Sequence, residues 1–235
     1  MVSKYKFYGY DKKNAILVMY EAIASQKFHS LLAPFGVNPV MSLEIFTDIA
    51  RAYSSADRHY HNLTHILQVL QIIDQMRPHA QNPAALEFAA WFHDIIYDSK
   101  AKDNEEKSAA YATNILKTLK IPSSNIDKVA KIILTTKTHQ ATEKDIDTYI
   151  FLDADLSILG ESSAEYNIYN QAIRKEYSWL SEAEYRWGRI QVLKKFIERE
   201  RIYLTAEIFE AREIKARQNI QTEIESLLAG NIKKM

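Results

Sequence analysis

The sequence predicts an all-α fold. Apolar residues recur at spacings of three and four, as in Ile66, Val69, Leu70 and Ile73, and strict alternation over the length of a strand is hard to find. Five glycines and five prolines are few for 235 residues, and no Gly/Ser/Pro-rich or low-complexity stretch supplies a flexible linker. A chain of this length can bury a substantial core, so we expect residues 1–235 to form a single domain.

Prolines and glycines predict the breaks between the early helices. Pro34, Gly36 and Pro39 separate the first helix from the second. Pro78 and Pro83 end one helix and open another, because proline has no backbone N–H and suits the first turn of a helix better than its interior.

Serines, aspartates and one further glycine indicate the later boundaries. Pro122 marks a break, after which Ser123 or Ser124 is a candidate N-cap for a helix running toward His139. We expect the next helix to begin near Asp147 and to end by Gly160. Ser162 or Ser163 then begins another helix, and the chain from about Ser181 reads as one or two long helices with mixed charge.

Composition narrows the classes of function. Thirty Lys+Arg balance thirty Asp+Glu, so no overall positive charge attracts phosphate backbones, and nucleic-acid binding is disfavoured. The absence of cysteine leaves only nitrogen and oxygen donors for a metal and fits a reducing compartment. The N-terminal residues 1–7 contain no apolar segment of signal-peptide length, and no later segment approaches a membrane span. We expect a cytoplasmic protein without membrane association.

Five dispersed side chains indicate a metal site. His61 and His65 lie four residues apart, so on one helix they would project from the same face. His93 and Asp94 follow an apolar run, and Asp155 lies in a similarly apolar segment. Each fragment is a weak signal alone. Burying unpaired ionisable groups in apolar surroundings is costly, however, so a shared divalent ion is the first hypothesis.

The order and spacing of these fragments resemble the HD-domain superfamily of metal-dependent phosphohydrolases. The segments Tyr60–Asn62 with His65, and Ala154–Ser157, also resemble motifs of cyclic-nucleotide phosphodiesterases. A likeness covering most of the chain is to a bacterial group of predicted HD-superfamily phosphohydrolases. The resemblance implies one helical bundle of HD type with its motifs in residues 58–160 and additional C-terminal helices in residues 161–235.

The resemblance also assigns roles to individual residues. It makes His65, His93, Asp94 and Asp155 the metal ligands, and it favours Asp155 over Asp153 because the family ligand lies in an Ala-Asp-hydrophobic step. One divalent ion is expected, with Mn, Fe, Co, Ni, Zn and Mg all compatible with nitrogen and oxygen ligands. His139 is the only plausible late substitute for the histidines of a second, weaker metal site.

Further residues are candidates for catalysis and for binding the substrate. His61 matches the phosphodiesterase histidine that protonates the leaving oxygen, with His59 as a rival acid. Asp98 is a candidate for orienting or deprotonating the attacking water, or a helix-end carboxylate. Three arginines are candidates for binding substrate phosphate, with surface ion pairs as the alternative: Arg58, Arg174 and Arg189.

The sequence is compatible with three functions. The first is a metal-dependent phosphohydrolase acting on a nucleotide or another small phosphorylated metabolite. The second is a metal-containing nucleotide sensor or scaffold with little turnover, and the third is a helical nucleic-acid-binding module. The complete ligand set favours the enzyme, and the neutral charge argues against the nucleic-acid module.

Overall fold

The computed structural model describes the backbone of residues 12–232 and the side chains of residues 18–230, so the N-terminal residues 1–7 considered above lie outside it. Over the described residues the chain forms α-helices and short 3₁₀ helices without strands, which confirms the predicted all-α fold. None of these helices is both long enough and apolar enough to span a membrane. The α-helices are α1 (Lys12–Leu32), α2 (Pro39–Tyr53), α3 (Leu63–Met76), α4 (Pro83–Phe92), α5 (Asn104–Thr118), α6 (Ser123–Thr136), α7 (Ile146–Asp155), α8 (Ser163–Glu176), α9 (Glu182–Ile197) and α10 (Ala206–Ile232).

Most of the predicted helix boundaries are confirmed. Gly36 takes a left-handed conformation, with φ of 67°, between α1 and α2, and Pro83 is the first residue of α4. The side chain of Ser162 caps α8. The expected serine cap of α6 is wrong, because Pro122 occupies the N-cap position and no side chain there accepts a hydrogen bond from the helix.

The core is built around α4, which lies between α3, α5, α6 and α7. Trp91 and Phe92 at the end of α4 are fully buried, and the rings of Phe28 and Phe46 pack edge-on against Trp91 at centroid distances of 5.4 and 6.2 Å. Burying each such side chain contributes about 1.5–3 kcal/mol. The end of α4 is therefore a firmly packed support for the residue that follows it, His93.

The C-terminal helices are joined to the motif-bearing part of the chain. Asp153 is fully buried and accepts hydrogen bonds from the backbone N–H groups of Leu204 and Thr205, just before α10 begins. A 3₁₀ helix, Leu156–Gly160, follows α7 and contacts α10 so closely that a Cβ at Gly160 would lie 2.6 Å from the Cβ of Arg212. These contacts attach α10 to the end of α7, where Asp155 is located.

Candidate metal centre

Three helix ends bring the predicted metal ligands together. Asn62 caps α3 by accepting hydrogen bonds from the backbone N–H groups of Thr64 and His65, which places His65 in the first turn. His93 is the C-cap of α4, and Asp155 is the last residue of α7. Because these ends meet inside the bundle, residues 28 and 62 positions apart in the sequence face one another.

The donor atoms are spaced as a coordination sphere requires. The Nε2 atoms of His65 and His93 are 3.2 Å apart, and Asp155 Oδ1 lies 3.2 Å from the first and 3.5 Å from the second. Asp94 Oδ2 lies 3.1 Å from His93 Nε2. Metal–ligand bonds of about 2.0–2.2 Å separate neighbouring donors by roughly 3.0–3.5 Å in octahedral or tetrahedral geometry. The group of His65, His93 and Asp155 could therefore hold a metal ion, with Asp94 beside it.

The hydrogen bonding of His93 leaves its inner nitrogen suited to a metal. His93 Nδ1 is 3.1 Å from the backbone carbonyl of Ala90, and a carbonyl oxygen can only accept, so Nδ1 carries the proton. In the neutral ring Nε2 then presents a lone pair to the cluster. Both histidines are 2% exposed, so water offers little alternative solvation to these nitrogens.

The electrostatics of the cluster favour a cation. Burial lowers the pKa of His93, but Asp94 and Asp155 outweigh it and raise that pKa, so without a metal the His93 Nε2 also holds a proton that a bound ion would replace. Burial raises the pKa of the Asp155 carboxyl, but hydrogen bonds from the protonated nitrogens of His139, His65 and His93 outweigh it and hold that pKa well below its usual range. For Asp94, burial is likewise outweighed by the adjacent His93, and its pKa is also lowered. Two carboxylates thus stay charged in a partly enclosed site, and a divalent ion is a natural counter-charge.

Arg58 joins the two segments that carry the histidines. Its guanidinium donates hydrogen bonds to the backbone carbonyls of His61, Asp94 and Ile95 at 3.2, 2.6 and 3.0 Å. It is 8% exposed and does not line the cavity described below. These contacts do not favour its predicted role in binding substrate, which stays a prediction, but they fix the backbone on both sides of the centre.

His61 does not lie on a helix with His65, so that part of the sequence interpretation is wrong. Because Asn62 is the N-cap, α3 begins at Leu63 and His61 belongs to the preceding turn. The turn nevertheless brings the His61 ring to 5.9 Å from that of His65, and the ring stacks on Tyr97 at 4.4 Å.

Glu176, the last residue of α8, holds His61 in place, and the sequence analysis gave it no role. Its Oε2 lies 2.6 Å from His61 Nδ1 and accepts a hydrogen bond from the Tyr97 hydroxyl at 2.9 Å. Its Oε1 accepts the backbone N–H groups of His59, Tyr60 and His61. No spacing rule links Glu176 to His61, which lies 115 residues earlier. Two signals were available: the segment Ile173–Tyr177 resembles the bacterial HD-superfamily group, and the macrodipole disfavours a negatively charged residue at the C-terminal end of a helix.

The two partners shift each other's pKa. Burial opposes ionisation of both groups, but their hydrogen bond and opposite charges outweigh it. The pKa of His61 is therefore raised above its ordinary value of 6.5, while that of Glu176 is lowered from 4.5 to about 2. The pairing therefore favours the imidazolium form of His61 beside the Glu176 carboxylate.

His139 meets the opposite side of Asp155. Its Nε2 lies 2.9 Å from Asp155 Oδ2, while Asp155 Oδ1 faces the two buried histidines. His139 has a left-handed backbone, with φ of 48°, which is uncommon for a residue with a side chain. Arg199 donates hydrogen bonds to the carbonyls of His139 and Thr138 at 2.7 and 3.0 Å, stabilising this turn.

The centre opens into a cavity of about 870 Å³, a size suited to a small organic ligand. His61, His93, Asp94 and Asp155 line it. Asp98 lies on the exposed rim, where its Oδ1 accepts the backbone N–H of Lys100.

The other two predicted arginines have partners within the protein. Arg174 does not line the cavity and hydrogen bonds to the carbonyls of Tyr177 and Leu180. Arg189 does line it, but its guanidinium forms a buried two-point ion pair with Glu223. Arg189 can therefore shape the cavity wall while most of its charge is already balanced.

No protein-family model, curated protein or solved structure matches this chain. The centre consists of three converging donor groups, an adjacent aspartate and a histidine–glutamate pair beside a cavity.

Proposed function

We propose that the protein is a metal-dependent phosphohydrolase that cleaves the phosphate ester of a nucleotide or another small phosphorylated metabolite. The observation that carries the proposal is the convergence of His65 Nε2, His93 Nε2 and Asp155 Oδ1 beside a cavity that His93, Asp155 and His61 line. The sequence resemblance to HD-domain phosphohydrolases points to the same chemistry.

His65, His93, Asp94 and Asp155 would hold one divalent ion. A bound ion of this kind supplies a water that is deprotonated near neutral pH and neutralises charge on a phosphoryl oxygen. The mixture of two imidazoles and two carboxylates suits Mn, Fe, Co, Ni or Zn, and Mg to a lesser degree. Availability in the cell then decides which of these ions is used.

His61 would act as the general acid. Its Nδ1 is engaged by Glu176, which leaves Nε2 to deliver a proton to the departing oxygen. Glu176 favours the protonated imidazole that this role needs, because its hydrogen bond raises the pKa of His61. Glu176 is thus a positioning residue, because it acts through His61.

Cations along the cavity would bind the phosphate oxygens. Lys195 lines the cavity and is exposed, so its ammonium group is accessible to a phosphate. Arg199 also lines it, and its hydrogen bonds go to neutral carbonyls, so its charge is not balanced by a carboxylate there. These two groups are better placed than Arg58 and Arg174 to attract a phosphate.

A metal-supplemented substrate screen tests the proposal. Chelator-treated protein is reloaded with each candidate ion and tested on nucleoside monophosphates, deoxynucleotides, cyclic nucleotides, dinucleotides and simple phosphate esters. We expect metal-dependent release of product from at least one of them, and its loss in His65→Ala. Tight metal binding without turnover on any of them would instead favour the sensor or scaffold function.

A further inference from the structure

One face of α9 forms a wall of the cavity. The residues that line it recur at helical spacings of three and four, so a single stripe faces inward. The stripe consists of Tyr185, Gly188, Arg189, Val192, Lys195 and Phe196. At 1.5 Å per residue it extends for about 16 Å, which is far longer than a phosphate group needs.

Gly188 has no structural reason to be glycine. Its backbone is helical, and a Cβ built on it would meet nothing within 4 Å apart from its own chain neighbours and helix backbone. Gly160, by contrast, is closely covered by Arg212 and Tyr203. Glycine weakens a helix interior, so an open glycine in the middle of α9 is unfavourable for folding. It leaves space in the cavity wall.

Tyr185, one turn before Gly188, offers a hydrogen-bonding group without a partner. Its side chain is 5% exposed and lines the cavity, yet its hydroxyl makes no hydrogen bond to any described residue. A buried hydroxyl left unpaired costs free energy, and a small rotation of the ring toward the cavity would let a ligand relieve that cost. The observation is independent of the space at Gly188.

The neighbouring surface suits a flat organic group. The Tyr177 ring lies 6.5 Å from the Tyr185 ring, and Leu180 and Val192 add apolar area to the same cavity. Tyr177 is the more exposed of the two rings and can stack on a planar group, whereas a phosphate alone would gain nothing from it.

The wall is connected to the metal centre through three side chains. The Arg189 guanidinium lies 5.2 Å from the centre of the Tyr169 ring. The Tyr60 ring lies between the next two groups, 4.7 Å from the Tyr169 ring and 4.8 Å from the His65 ring. Because Asp94 and Asp155 line the same cavity as Gly188, a phosphate at the centre and an organic group on α9 can belong to one molecule.

We propose that this face of α9 binds the organic group of a nucleoside-sized phosphate ester, with Gly188 providing the space it fills and Tyr185 hydrogen bonding to it. The proposal rests on the phosphohydrolase function and narrows it, because esters of small alcohols would leave the wall uncovered. Gly188 is then a specificity-determining position.

Binding to Mn²⁺-loaded protein tests this without requiring turnover. Calorimetric titrations use inorganic phosphate and adenosine 5′-thiomonophosphate, an analogue chosen to resist hydrolysis. We expect the wild type to bind the nucleotide analogue at least tenfold more tightly than phosphate. Gly188→Leu places four carbon atoms in the cavity, and we expect it to lower affinity for the analogue at least tenfold while leaving phosphate affinity within twofold.

Three further variants make the result decisive. Gly188→Ala adds one carbon atom, and alanine has a higher helix propensity than glycine, so this variant should fold at least as well as the wild type. Tyr185→Phe should weaken binding of the analogue about two- to tenfold, the value of one hydrogen bond. Gln191→Leu, an exposed position of α9 outside the cavity, should change neither affinity.

Two results would overturn the assignment: unchanged analogue affinity in Gly188→Leu, or equal loss of phosphate and analogue, which would place Gly188 in support of the metal centre. Binding that follows the expected pattern without hydrolysis in the substrate screen would retain this site and refute the enzymatic function instead.

Discussion

Replacing Glu176 by Gln tests whether one buried carboxylate organises the turn that carries His61. The carboxylate accepts five hydrogen bonds, two of them at its Oε2 from His61 Nδ1 and Tyr97 and three at its Oε1 from backbone N–H groups. The fall in its pKa from 4.5 to about 2 corresponds to roughly 3 kcal/mol of folding free energy at pH 7. Glutamine has nearly the same shape but lacks the charge, so we expect Glu176→Gln to lose about that amount.

The sign of the pH dependence follows from a lowered carboxyl pKa. The stabilisation is fully present above pH 4.5 and is lost as pH falls through the folded-state pKa of about 2. The difference between wild type and variant should therefore shrink from about 3 kcal/mol at pH 7 to about 1.5 kcal/mol at pH 3. Urea unfolding of chelator-treated proteins measures it. Glu44→Gln, an exposed glutamate of α2, is the matched control and should stay within about 0.5 kcal/mol.

The pH profile of kcat tests whether Glu176 positions and protonates His61 or only packs against it. The raised pKa of His61 should appear as an alkaline limb above pH 6.5 in the pH profile of kcat, because a general acid must be protonated. Glu176→Gln should move that limb down toward 6.5. A variant as stable as the wild type at pH 7, or an unmoved alkaline limb, would refute the role assigned to Glu176.

Three other variants give distinct outcomes. His61→Ala should keep the metal and lose about 10²–10⁴-fold in turnover of alkyl phosphates but little on p-nitrophenyl phosphate, whose leaving group needs no proton; equal losses on both esters would exclude the acid role. Asp94→Ala should lower metal content because a ligand and a balancing charge are removed, and undiminished metal measured by elemental analysis would locate the site elsewhere. His139→Ala should reduce metal affinity about 10- to 100-fold without changing the one-to-one stoichiometry, since His139 contacts the outer oxygen of Asp155; a fall from two ions to one would instead make it a ligand of a second metal.

The sequence was sufficient for the fold class and for most helix boundaries. Helical spacing of apolar residues, a proline at the start of α4 and a serine before α8 act locally, so they can be recognised without tertiary structure. The cap of α6 was mispredicted because two serines follow Pro122, and nothing local shows that neither side chain is used.

The site was predictable only in part, because much of it depends on pairings between distant residues. His65, His93 and Asp155 converge as the motif spacing suggested. The sequence alone does not distinguish an arginine that binds phosphate from one that binds backbone carbonyls. Arg58 binds backbone carbonyls. The role of Glu176 was not predicted because its partner is far away in the chain and its burial depends on the packing of α8.

Metal titration of two neighbouring aspartate variants tests the central claim most directly. Asp155 and Asp153 are two residues apart on α7, but Asp155 faces His65 and His93 while Asp153 binds the segment before α10. Asp155→Asn should therefore weaken Mn²⁺ binding strongly in calorimetry, whereas Asp153→Asn, verified as folded by circular dichroism, should keep wild-type affinity within about twofold and bind one ion per chain. Unchanged Mn²⁺ affinity in Asp155→Asn, or equal losses in both folded variants, would contradict the assignment of this cluster as the metal centre.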